Sequence, residues 1–132
     1  MTTITKERPP RLDHPDIGKA MPLSDEDTLL IEQTRKENEA LSEDERRARF
    51  DNIISKSGRC GFASSGQYDY ILNTNPRKTY TVTINTDWRR GVEHGFYTDT
   101  YTAPAGGKVM LGCTQTNNIP VTKYIRKVVG EV

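Results

Sequence analysis

Apolar and polar residues alternate most clearly between Tyr80 and Trp88. Tyr80, Val82, Ile84 and Trp88 fall on one side, and Thr81, Thr83, Asn85 and Asp87 on the other. A period of two is that of a strand with one face buried and the other in water, the usual state of an antiparallel sheet. Four further segments have strand character. Residues 68–72 end at Asn73-Thr74-Asn75-Pro76, and residues 96–102 are rich in threonine and tyrosine. Residues 109–114 follow the turn Ala103-Pro104-Ala105-Gly106-Gly107, and residues 123–129 carry Tyr124, Ile125, Val128 and Val129. Strands punctuated by Gly, Pro and Asn predict a small antiparallel β-sandwich or barrel of about five strands over 61–132.

The preceding segment has a different period. Leu23-Ser24-Asp25-Glu26-Asp27 and Leu41-Ser42-Glu43-Asp44-Glu45 each place a serine ahead of three acids. Such a serine can accept from an orphan N–H of the first helical turn, the acid three residues on can reach back to the cap, and the acids suit the positive end of the helix dipole. Two helices are therefore expected within 23–58, with Gly58 as the stop. The first holds a single apolar turn, Leu29-Leu30-Ile31. The second is expected to carry Phe50, Ile53 and Ile54 as an i, i+3, i+4 stripe that docks it on the β domain or on another chain. Residues 1–22, with prolines at 9, 10 and 15, read as an extended arm that lacks the apolar surface to order itself alone. The expected architecture is α+β: an arm at 1–22, a helical pair at 23–58 and a β domain at 61–132.

Composition narrows the classes of function. The chain has 132 residues, 33% apolar and 28% charged, with a mean hydropathy of −0.75. No run approaches the roughly 20 apolar residues of a membrane span, and the first ten residues lack the apolar core of a secretory signal. A cytoplasmic origin is the resulting expectation. The net charge of +1 removes the main electrostatic term of nucleic-acid binding. Charge is nonetheless divided: residues 1–60 hold eleven Lys/Arg against thirteen Asp/Glu, and residues 61–132 eight against five. An acidic helical segment could thus lie on a basic β domain, its own or a neighbour's.

Cys60 and Cys113 are the only cysteines. Two separate buried thiols are the expectation for a reducing compartment, and a Cys60–Cys113 disulfide is the alternative. Cys113, His94 and Asp99 supply the residue types of a thiol nucleophile, but Cys113 shares the phase of Val109 and Leu111 and is expected to face the core. His14, His94, Cys60 and Cys113 lack the close ligand pairs of a dedicated zinc site. No catalytic residue, metal or cofactor is therefore expected. Trp88, Arg89 and Arg90 form an Arg/aromatic group suited to an exposed contact, and Phe50, Ile53 and Ile54 complete the interaction residues.

The role expected from these features is non-enzymatic: a protein-interaction or assembly subunit whose arm packs on neighbouring chains, a design shared by components of virion-like and other multi-subunit particles. Its partners would be protein, with neither nucleic acid nor membrane involved. The alternative is a small inhibitor or immunity-type protein that binds one target enzyme.

Overall fold

A computed structural model describes residues 3–5, as backbone, and 14–132. In chain order the elements are β1 (Thr3–Thr5), β2 (Ala20–Met21), α1 (Asp25–Glu39), α2 (Glu43–Arg47), β3 (Asn52–Cys60), β4 (Gly66–Asn73), β5 (Tyr80–Arg90), β6 (Glu93–Ala103), β7 (Lys108–Cys113) and β8 (Thr122–Glu131). The strands form two four-stranded sheets, β1-β6-β5-β8 and β2-β7-β4-β3. Every pairing is antiparallel except that of β1 with β6. Among the described residues the result is an α+β fold whose strands form an open two-sheet sandwich of eight strands, more than the about five expected, and not a closed barrel.

The alternation from Tyr80 to Trp88 builds the longest ladder. β5 and β6 pair without a break from Tyr80 opposite Ala103 to Arg90 opposite Glu93. The connection is the two-residue turn Gly91-Val92, with Gly91 at a φ of 59°, a conformation that costs a glycine little. Inward-facing residues of both sheets meet in one core of Ile71, Tyr80, Val82, Ile84, Ala103, Val109 and Leu111. Trp88, Tyr97 and Tyr124 form a second cluster.

Both capping boxes form. Ser24 Oγ accepts from the Asp27 N–H at 3.1 Å and Asp27 Oδ2 from the Ser24 N–H at 2.9 Å. Ser42 and Glu45 repeat the arrangement. α1 lies on the outer face of the second sheet. There Lys108 Nζ sits 2.7 Å from Asp27 Oδ2 and 4.1 Å from the centre of the Tyr70 ring, with both charged side chains buried. Burial alone would raise the Asp27 pKa, but the bonds from Lys108 and Ser24 outweigh it and hold the carboxyl below its usual range.

The second helix departs from expectation. α2 ends at Arg47, and the Phe50, Ile53 and Ile54 stripe is not helical. Ile53 and Ile54 lie on β3, opposite Leu72 and Ile71, so they point to opposite faces of the second sheet. Ile54 packs against the core, and Phe50, in the bend before β3, is 39% exposed. The physical reason is local. Two β-branched isoleucines followed by Ser55, Ser57 and Gly58 favour extended chain, and no apolar residue continues the stripe a turn later. The helical pair thus ends well short of 58.

Asp51 anchors this crossing. Its carboxylate accepts from the Tyr80 hydroxyl, Arg46 and Asn75, and its N–H donates to Glu131 Oε2 at 3.0 Å. Burial opposes the charge on Asp51, yet the Tyr80, Asn75 and Arg46 bonds hold its pKa down. The same burial and bond push the Tyr80 phenol up to about 12.

Cys60 and Cys113 are joined in a disulfide across 53 residues, so the separate-thiol expectation does not describe this fold. The bridge forms because β3 and β7 flank β4, and a bulge after Ser57 turns Cys60 back towards β7. Of the expected arm at 1–22, residues 1–2 and 6–13 lie outside the described residues. Residues 14–22 contain a turn at 15–18 and β2, which pairs with β7. No described helix is long and apolar enough to cross a membrane.

Candidate functional site

The two sheets are not equally covered. On the second sheet, alternation sends Tyr70, Leu72, Lys108 and Met110 outward, yet all four are buried beneath α1 and its neighbouring segments. On the first sheet nothing among the described residues overlies the outer face.

The register places the side chains of that open face in rows. At one end Thr81 pairs with Thr102 and Thr83 with Thr100. Threonine is a favoured strand residue in water, and this half of the face needs no other explanation. At the other end Asp87 lies between Phe96 of β6 and Ile125 of β8. Phe96 is 42% and Ile125 69% exposed. In the next row Arg89 lies between His94 and Lys123. Like charges opposite one another destabilise a sheet, and neither Arg89 nor Lys123 has an ion-pair partner among the described residues. Lys127, opposite Asn85, adds a third cation to the face. Among the described residues, Asp87 is the face's single carboxylate, between Arg89 and Asn85. A concavity of about 640 Å³ opens at this end, lined by Trp88, Arg89, His94, Phe96, Lys123 and Ile125 among others.

Of the residues expected at an exposed contact, Arg89 alone is on this face. Trp88 is 2% exposed and packs with Tyr97 and Tyr124, so it supports the surface from within and is not itself the contact. Its place was implied by the alternation that put it in phase with Val82 and Ile84. Arg90 is half-buried on the opposite face, beside the hairpin turn. Phe50, Ile53 and Ile54 are on other elements and do not join the patch. Phe96 and Ile125 were not singled out beforehand. Each neighbours a tyrosine in sequence, Tyr97 and Tyr124, and an aromatic–apolar pair leaves open which residue faces inward.

A larger cleft, about 980 Å³, separates the helices from the β4–β5 turn and reaches Asp51. It holds charge, but most of that charge is committed. Asp51 is saturated by the bonds described above, Arg46 is paired to it, and Arg47 is paired to Glu43 and Asp44. A carboxylate in that state is not available as a base. The thiol chemistry conceivable for Cys113 with His94 and Asp99 is closed by the bridge to Cys60. Among the described residues, no group of three or more His, Cys, Asp or Glu is arranged to hold a metal ion. The open face offers exposed apolar side chains beside a band of positive charge that has no ion-pair partner among the described residues.

Compared with protein-family models, curated proteins and solved structures, the chain matches none of them.

Proposed function

We propose that the chain is a non-enzymatic protein-interaction subunit that assembles with further subunits through the outer face of the β1-β6-β5-β8 sheet. The observation that carries this reading is the uncovered pair Phe96 and Ile125 beside the row His94-Arg89-Lys123, on a molecule whose other outer sheet face is closed by a helix. Exposed apolar residues next to like charges that form no ion pair among the described residues cost the isolated protomer stability without benefit to its own fold. Such local conflicts are characteristic of surfaces kept for a partner. The partner that fits is a protein surface with acidic side chains around an apolar centre. The chain's own acids are concentrated at the starts of α1 and α2, so a neighbouring copy is the favoured source.

The test is the solution mass of the full chain by size-exclusion chromatography with light scattering, across a hundredfold range of concentration. A defined oligomer or a concentration-dependent mass supports the reading, provided that Phe96→Ser with Ile125→Ser reduces it. A compact monomer at every concentration overturns self-assembly and turns the search to a single foreign target, as an inhibitor or immunity-type protein would have.

A further inference from the structure

The protomer is built in three layers: α1, then the β2-β7-β4-β3 sheet, then the β1-β6-β5-β8 sheet. Its outermost surfaces are the solvent side of α1 and the open sheet face, and they point in opposite directions. Their chemistry is complementary. Asp27 faces the sheet, and Leu29, two residues and about 200° further round the helix, faces away and is 66% exposed. Leu30, about 60° from Asp27, is 36% exposed at the flank of the helix. Around this apolar spot stand Asp25 and Glu26 one turn before and Glu32 one turn after, all exposed and none paired to a cation among the described residues. The helix's own cations, Arg35 and Lys36, come later, in its C-terminal half. On the open face, the apolar row is Phe96 and Ile125 with Asp87 between them, and Arg89 and Lys123 lie one step along it and Lys127 on the other side.

The spacings also agree. Acids lie one helical turn, about 5.4 Å, from Leu29 on either side. The cations lie two strand residues, about 6.7 Å, from the apolar row. We infer that α1 of one copy lies on the open sheet face of the next, with Leu29 against Phe96 and Ile125 and the flanking acids against Arg89, Lys123 and Lys127. This rests on the assembly reading above and makes it specific. Because the two complementary surfaces are different and face opposite ways, the contact is head-to-tail. Two copies cannot satisfy each other, and the product is a ring of three or more or an open stack.

A capping experiment with full-length chains tests this. One variant spoils the helix side, Glu26→Lys with Leu29→Ser. The other spoils the sheet side, Lys123→Glu with Ile125→Ser. All four positions are exposed, and circular dichroism checks that both variants fold. The wild-type chain is expected to exceed a dimer in sedimentation velocity, and each variant alone to be a monomer. An equimolar mixture retains one intact helix side and one intact sheet side, so it forms only a 1:1 complex of twice the 14.9 kDa protomer mass. A wild-type assembly that stops at a dimer overturns the head-to-tail contact. So does one lost in the sheet variant but kept in the helix variant; there the open face is still an interface and the assembly reading survives. A monomeric wild-type chain removes both.

Discussion

Arg126 of β8 and Asp69 of β4 form a buried ion pair between the two sheets, with Nη1 3.0 Å from Oδ2 and the carboxylate fully out of solvent. Arg126 also donates to the carbonyl of Cys113 at 3.0 Å, and Lys56 Nζ reaches the other Asp69 oxygen at 2.6 Å. Removing Arg126 leaves a buried carboxylate with one half-exposed cation. Arg126→Leu is expected to cost about 3 kcal/mol, at the low end for a broken buried pair because Lys56 remains. Urea unfolding of Arg126→Leu and of the double variant with Asp69→Leu measures it. The double variant, which buries no lone charge, should recover part of the loss. A single-variant change below about 0.5 kcal/mol would refute this account.

Acid should unfold the protein through Asp27 and Asp51. Both have folded-state pKa values held below the usual carboxylate value. A depressed pKa means that the unfolded state binds the proton more readily, so the stabilisation is fully present above about pH 5 and is lost as pH falls through 3.8 and below. Denaturant midpoints should therefore be flat near neutrality and fall below pH 4, with a shallower fall in Asp51→Asn. Tyr80 has the opposite sign. Its pKa, raised to about 12, adds stability that is intact below pH 10 and lost as pH rises towards 12. An ultraviolet titration up to about pH 10 should be the same in wild type and Tyr80→Phe, because the Tyr80 phenol is still protonated there. Parallel acid profiles for wild type and Asp51→Asn would rule out the Asp51 contribution.

The Cys60–Cys113 bridge closes a loop of 53 residues. In the chain-entropy description such a loop contributes about 4 kcal/mol by restricting the unfolded state. Adding a thiol reductant should lower the melting temperature by about 10–15 °C, and Cys60→Ser with Cys113→Ser should match the reduced protein. An unchanged melting temperature in both would show that β4, hydrogen-bonded between the two bridged strands, already holds them together unaided.

The elements that could be read from the sequence are those specified locally. The S-x-x-D and S-x-x-E starts form capping boxes because the cap and the acid are three residues apart and need nothing else. β5 follows from its own alternation. What could not be read depends on partners distant in sequence. Ile53 and Ile54 have a spacing from Phe50 that suits a helix, but pairing with Leu72 and Ile71 draws them into a strand. The disulfide depends on β3 and β7 flanking β4, an arrangement set by topology and invisible to residue spacing. The open face was half legible: Arg89 was identified, whereas the direction of Phe96 and Ile125 follows only from register with Asp87.

That direction can be checked separately from any partner. Ile125 leaves most of its surface in water in the protomer, whereas Phe96 leaves less than half, so truncating Ile125 removes little buried area. Ile125→Ser should leave the unfolding free energy within roughly 1 kcal/mol of wild type, or raise it if the monomer is the species measured. Leu111, fully buried in the core between the sheets, is the control. Leu111→Ala should cost about 2–5 kcal/mol. Denaturation is measured at a concentration low enough for the monomer, and mass at a high one. The face variant should then change mass and not stability, and the core variant stability first. If the face variant unfolds as easily as the core variant, Ile125 is part of the fold's own packing. The surface would then be a structural wall, and the site of contact must be sought elsewhere on the molecule.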